Sequence, residues 1–292
     1  MNIENGIETR VNREYKSDVF KMYFSIKKNA LELYNAMNGT DYTDEEELIV
    51  NTLENGIFMK RYNDVSFIIS RTVSFYEHQS SINPNMPLRD LYYVTDIYRP
   101  YVMKNDIYGP ELIMLPTPKF VVFYNGLYNA PDRYVMRLSD AFASKSDDPE
   151  LELKVQFINI NLGHNKDLLD KCVALRDYAT LTQRVRDNLK NGMEIEEAAT
   201  EAVESCIKDH IMEDFLMKEK AGVIEMHVLD FDEEKHNESL LREGRKNAIY
   251  ESVENMLSKG KTPEEIADFC GYPIDLIHEV EQSMRANVSI SD

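Results

Sequence analysis

Asp64, Glu77 and Gln79 are spaced so that two carboxylates and an amide can meet on one surface. Between them, Val65, Phe67 and Ile69 alternate with Ser66 and Ser70, and Val73 and Phe75 alternate with Thr72 and Ser74, the period-two pattern of half-buried strands. A hairpin with its tip at Ser70-Arg71 sets Ile69 opposite Thr72 and, further along, Asp64 opposite Glu77. Side chains alternate between faces, so Asp64, Ser66 and Ile68 then share a face with Val73, Phe75, Glu77 and Gln79. An odd slip of register would separate the acids, and Ser-Arg is not a preferred two-residue hairpin tip. Facing carboxylates on neighbouring strands destabilise a sheet unless a cation lies between them. Mg²⁺, or Mn²⁺ in its place, takes such hard oxygens together with water and phosphate. An ion held there activates water and offsets charge growing on a phosphodiester. The plain alternative is a pair of solvated acids at a sheet edge, with Gln79 merely polar.

These residues need a scaffold on both sides of the hairpin. Apolar positions at three- and four-residue spacing predict a helix over Ser17–Met37, and Thr43 followed by Glu45, Glu46 and Glu47 predicts a capped helix to Leu53. After Pro84 and Pro87 the pattern from Leu88 to Tyr98 predicts a helix ending at Pro100. The run Phe120–Tyr124, closed by the Asn125-Gly126 turn, reads as a buried strand, and Leu153–Ile160 as another. Helices follow over Leu168–Val185, Ile195–Leu216 and Glu238–Lys259, with AGVIEMHVLDFDEE between them as a short strand or connector. The order describes a mixed α/β (α+β) fold, its sheet flanked by helices. Residues 1–165 form the expected core, 166–235 a helical extension, and 236–292 a C-terminal helical segment. That segment ends in SKGKTPEEIADFCGYPIDLIHEVEQ, which has helix-turn-helix spacing. Its second helix carries Asp275, Glu279 and Glu281 and no Lys or Arg before Arg285, which suits a protein partner better than phosphate.

Composition limits the partners. With 33 Lys+Arg against 52 Asp+Glu the net charge is −19, so any contact with a polyanion must be local or metal-assisted. No apolar run approaches the roughly 18–20 residues of a membrane span, and the first residues are polar, which predicts a cytoplasmic protein with no membrane partner. Cys172, Cys206 and Cys270 lie far apart, outside zinc spacings, and read as reduced and structural.

Asn63-Asp64, the hairpin ending Glu77-His78-Gln79-Ser80-Ser81, and Asn85-Met86-Pro87-Leu88-Arg89 resemble the recombination-promoting nuclease and transposase-like family of the PD-(D/E)XK superfamily. PKFVVFYNG, VQFININLGHN and the helices around CVALRDYATL and EAVESCIKDHIMEDFL share that resemblance, which covers roughly residues 15–230. It implies a restriction-endonuclease-like core in which Asp64 and Glu77 bind Mg²⁺. Gln79 stands where many relatives carry Lys, so it offers hydrogen bonds to water or phosphate instead of charge. Asp18, in the family's opening helix, and Glu54 are supplementary acids in this reading. His78 points to the opposite face and reads as packing, and Arg89 as a phosphate contact or a partner for an acid. Tyr92, Tyr93, Tyr98 and Tyr101 read as core or rim residues before base-stacking ones, and Asn159 and Asn161 as supports for a strand end. The expected function is metal-dependent DNA endonuclease activity linked to recombination or mobile elements, with DNA, a homo-oligomer and a protein partner at the C-terminal helices as expected contacts. The alternative is a catalytically silent, DNA-associated or protein-binding scaffold.

Overall fold

The computed structural model describes residues 19–51, 65–69 and 71–288. In chain order the elements are α1 (Val19–Phe24), α2 (Lys27–Asn38), β1 (Leu48–Asn51), β2 (Val65–Ile69), β3 (Thr72–Gln79), α3 (Met86–Met103), β4 (Thr117–Tyr124), β5 (Arg133–Arg137) and β6 (Lys154–Asn159). Then come α4 (Lys166–Lys171), α5 (Val173–Lys190), α6 (Ile195–Lys208), α7 (Glu213–Ser258), α8 (Pro263–Cys270) and α9 (Ile274–Val288). Residues 1–230 and 231–292 form two compact units.

The first unit is a mixed α+β layer structure. Its six-stranded sheet has the order β1-β2-β3-β4-β6-β5. β3, β4 and β6 run parallel at the centre, while β1-β2, β2-β3 and β5-β6 pair antiparallel. Central strands covered on both faces must be apolar throughout, and Val121, Val122, Phe123 and Tyr124 are all buried. On one face Val73, Phe75, Phe120, Val122, Tyr124 and Phe157 pack with Met86, Tyr93 and Val94 of α3. On the other, Phe20 of α1 lies against Phe123, Tyr34 of α2 meets Phe67, and Tyr178 of α5 meets His78. Thus α5 belongs to the layer covering the sheet.

Hairpin register agrees with the side-chain alternation: Ile69 pairs with Thr72, Ser66 with Phe75 and Val65 with Tyr76. Other expectations are corrected. The helix over Ser17–Met37 is two helices separated at Ser25-Ile26. The acids after Thr43 occupy one 3-10 turn, capped by Asp44 accepting from the Glu46 amide, and the chain then enters β1. Ile49 and Val50 favour strand, and β1 completes its hydrogen bonds on β2, so tertiary pairing overrides the helical start signal. AGVIEMHVLDFDEE lies wholly within α7. Strand β5 escapes a reading by pattern alone because only Met136 of its residues is buried and its ends are Arg133 and Arg137.

In the second unit, Thr262 accepts from the Glu265 amide while the Glu265 side chain accepts from the Thr262 amide, a complete capping box opening α8. Gly271, at φ 70°, ends that helix in the left-handed region, where L side chains are strained. Val253, Ile266, Ile277 and Val280 form the unit's own core. Among the described residues no helix is long and apolar enough to cross a membrane, and Cys172, Cys206 and Cys270 are free thiols.

Candidate functional site

Strand β3 carries Glu77 and Gln79 two residues apart, so both side chains leave the same face at its C-terminal end. A bend through Ser80 and Ser81 leads to α3, whose first turn contains Pro87, a residue with no amide to leave unpaired there. This short return places Arg89 over the strand end. Its Nη2 donates to Glu77 Oε2 at 3.2 Å and to the Tyr93 hydroxyl at 3.0 Å. The Gln79 amide is assigned the orientation in which both of its ends are satisfied, Oε1 accepting from Arg89 Nη1 at 3.1 Å and Nε2 donating to the Ser81 carbonyl at 3.1 Å; the opposite orientation sets Nε2 2.8 Å from Met86 Sδ. Arg89 also lies 5.8 Å from the Tyr93 ring centroid.

Burial sets the electrostatics. The Glu77 side chain is 3% exposed and the Arg89 side chain 37%. A carboxylate removed from water requires a cation or several donors, and the guanidinium supplies charge and geometry together. Next to it, Asp90 is buried at 1% exposure, and its Oδ1 makes no hydrogen bond among the described residues. Desolvation lifts the Asp90 carboxyl to about 7, against a smaller opposing pull from Arg89.

Glu77, Gln79 and Arg89 therefore come together. Asp64 lies outside the described residues, as do Asp18 and Glu54. His78 leaves the opposite face, stacked on Phe20 with centroids 5.4 Å apart, its Nε2 3.1 Å from the Tyr178 hydroxyl. Tyr93 is buried against Arg89, Tyr98 donates to the Pro116 carbonyl, and Tyr92 is exposed. Glu77 is a donor of the kind that a hard dication takes with one further carboxylate, water and phosphate. Among the described residues no group of three or more His, Cys, Asp or Glu side chains is placed to hold a metal ion.

A second polar cluster braces the same end of the sheet, where Asn159 and Asn161 support a strand end as expected and Arg186 joins them without any sign in the sequence. Asn125, directly after β4, donates its amide to the Gln79 carbonyl at 3.0 Å. Arg186 of α5, 5% exposed, donates to Asn125 Oδ1 at 2.7 Å, to the Asn125 carbonyl at 2.5 Å and to Asn161 Oδ1 at 2.8 Å. Asn161 Nδ2 donates to the Gly126 carbonyl, and Asn159 Nδ2 to that of Ala130. The only sequence signal is the recurrence of Asn at two strand ends; the cation they share is distant in the chain.

Gly126 is required here for space. A Cβ at this position would lie 1.9 Å from the Ser80 carbonyl oxygen and 2.5 Å from the Tyr124 hydroxyl. Gly126→Ala is therefore expected to lower stability by about 3 kcal/mol and Tm by roughly 5–10 °C, read by thermal melting. An unchanged Tm would show that the β3 and β4 ends are looser than this.

Comparison with protein-family models, with curated proteins and with solved structures finds no match for this chain.

Proposed function

We propose that the protein is a metal-dependent DNA endonuclease that hydrolyses phosphodiester bonds, on a restriction-endonuclease-like core, in recombination or mobile-element biology. The observation that carries the reading is the convergence of Glu77, Gln79 and Arg89 at the C-terminal end of β3. In this reading Asp64 and Glu77 hold Mg²⁺ or Mn²⁺. When bound, the ion acidifies a water and offsets charge developing on the phosphodiester. Gln79 presents an amide that orients water or phosphate by hydrogen bonding. Arg89 holds Glu77 in place, and its partly exposed side chain brings positive charge to the strand end where a phosphate would approach. Such local contacts suit a chain whose net charge of −19 repels DNA at long range.

A second reading, a catalytically silent DNA-associated or protein-binding scaffold, is favoured by the same ion pair. Arg89 already compensates Glu77, so the pair can serve simply to fasten α3 onto β3.

Supercoiled plasmid incubated with the full chain and Mg²⁺ or Mn²⁺ separates the two. Nicking by the wild type, reduced about 100-fold in Asp64→Ala and in Glu77→Ala, is the expected result. Equal nicking by all three proteins would assign the activity to contamination. No nicking in either metal would favour the scaffold.

A further inference from the structure

Where β4, β6 and β5 lie side by side, the sheet face turned away from α3 carries a row of cations. Arg137 pairs with Lys154 across the antiparallel β5-β6 ladder, so both side chains leave one face. Val121 pairs with Gln156 in the parallel β4-β6 ladder, and two residues earlier on each strand Lys119 stands beside Lys154 on that same face. Lys119, Lys154, Gln156, Val135 and Arg137 are all exposed, whereas Phe120, Val155 and Met136, their neighbours in the chain, pack under α3. Three cations therefore occupy three successive strands, whose axes span about 10 Å. Like charges set opposite one another weaken a sheet. Protection of an exposed edge accounts for Arg137, since β5 is an outer strand, but not for Lys154 and Lys119 on inner ones. Among the described residues Glu152 is the one carboxylate paired with the row, 3.6 Å from Arg137, and it also accepts from the Ser139 amide and hydroxyl and from the Leu153 amide. Asp147, Asp148 and Glu150, in the connection from β5 to β6, pair with none of the three. Lys119 donates to the Asn38 side chain, which leaves its charge uncompensated.

We propose that this row binds the phosphate backbone of duplex DNA. An anion whose charges repeat relieves the repulsion along the row, and the Lys and Arg ends with the Gln156 amide between them are the donors that phosphate contacts use. The chemistry of the corner separates this partner from other polyanions. A protein interface buries an apolar centre, and Val135, 47% exposed, is the one apolar side chain of the five. A single strand is held by stacking its bases on aromatic rings, and none of the five is aromatic. A duplex keeps its bases stacked inside and asks only for charge and amide donors at fixed spacing. A short row of this kind acts at close range, as it must in a chain whose overall charge of −19 repels DNA from afar. Lys119 pairs with Ser74, an odd number of residues from Glu77, so the row lies on the opposite face from Glu77 and DNA held there leaves that strand end open. The inference rests on the DNA partner of the proposed function, not on its metal or its catalysis.

Fluorescence anisotropy of a short labelled DNA duplex with the full chain in EDTA tests it without cleavage. The wild type is expected to bind at about 50 mM salt, with log K falling against log salt at a slope of about −2.7, the value for three neutralised phosphates. Lys119→Gln with Lys154→Gln and Arg137→Gln is expected to weaken binding about tenfold or more and to flatten that slope. Lys171→Gln with Lys190→Gln and Lys208→Gln makes the same change of charge at exposed positions elsewhere, and is expected to stay within about twofold of the wild type. Should the row variant fold poorly, Lys154→Gln alone is expected to make the slope shallower by about 0.9. A wild type that leaves the duplex unbound would overturn the proposal. Equal binding by the wild type and the row variant would overturn it while leaving the nuclease reading in place. Binding lost in the row variant, with no nicking of plasmid by the wild type in Mg²⁺ or Mn²⁺, would uphold it and remove the nuclease reading. Polyglutamate that competes as well as unlabelled duplex would overturn it in favour of an acidic protein partner.

Discussion

Replacing Arg186 with methionine is expected to cost about 4 kcal/mol of stability, measured by urea denaturation, because three acceptors lose their donor together. Asn125 is buried at 2% exposure, so its Oδ1 and carbonyl keep most of their desolvation cost once the guanidinium is gone, while the partly buried Asn161 Oδ1 keeps less. Arg186→Lys is expected to recover less than half, since one ammonium cannot span acceptors that a planar fork reaches simultaneously. Asn125→Asp separates this account from simple volume loss. The buried Asn125 Nδ2 has no acceptor among the described residues, so a carboxylate at that position exchanges an unsatisfied donor for an acceptor facing a cation. It is expected to be neutral or stabilising by about 1 kcal/mol at pH 7. Equal losses in Arg186→Met and Asn125→Asp would contradict the hydrogen-bond explanation and favour a packing one.

Asp90 makes the second large prediction, and it depends on pH. Burial raises its folded-state carboxyl from the ordinary 3.8 to about 7. Between those values the folded chain holds a proton that the unfolded chain has released, so stability falls as pH rises through this window. Below about pH 4 both states are protonated and the residue contributes no penalty. Above about pH 7 both are ionised and the penalty is complete, about 4 kcal/mol from the size of the shift. Asp90→Asn cannot ionise. It is expected to be more stable than the wild type by about 2–4 kcal/mol at pH 8 and within about 1 kcal/mol of it at pH 4. Urea midpoints at the two pH values provide the measurement, and parallel pH dependences in both proteins would refute it.

Particular residues show how far the chain alone reveals this arrangement. The β2-β3 register is legible because apolar and small residues alternate on both sides of a two-residue tip, and a slip by one would turn Phe67, Ile69, Val73 and Phe75 to the wrong faces. The start of α3 is legible from Pro87 and the spacing after it, although the helix continues through Pro100 to Met103. β1 is hidden by its own preamble, since Glu45–Glu47 look like a first helical turn and only the neighbour β2 makes a strand of Leu48–Asn51. Of the site residues, Glu77 and Gln79 share a face by simple alternation. That Arg89 closes over both is a tertiary fact set by the length of the Ser80–Asn85 return. The Arg186 cluster joins positions too distant in the chain for periodicity to relate them.

The strand carrying Glu77 has two neighbours of very different origin. β2 precedes it directly in the chain, whereas β4 arrives only after α3 and the loop behind it. On a translating ribosome the hairpin can close at once, while the far edge of β3 waits roughly a few seconds for its parallel partner to emerge. During that interval a row of apolar side chains and unpaired amides is open to any other nascent strand. Slow decoding between Gln79 and Thr117 would lengthen the exposure, so synonymous codon choice in that stretch, which alters no contact in the finished molecule, bears on how much protein escapes aggregation.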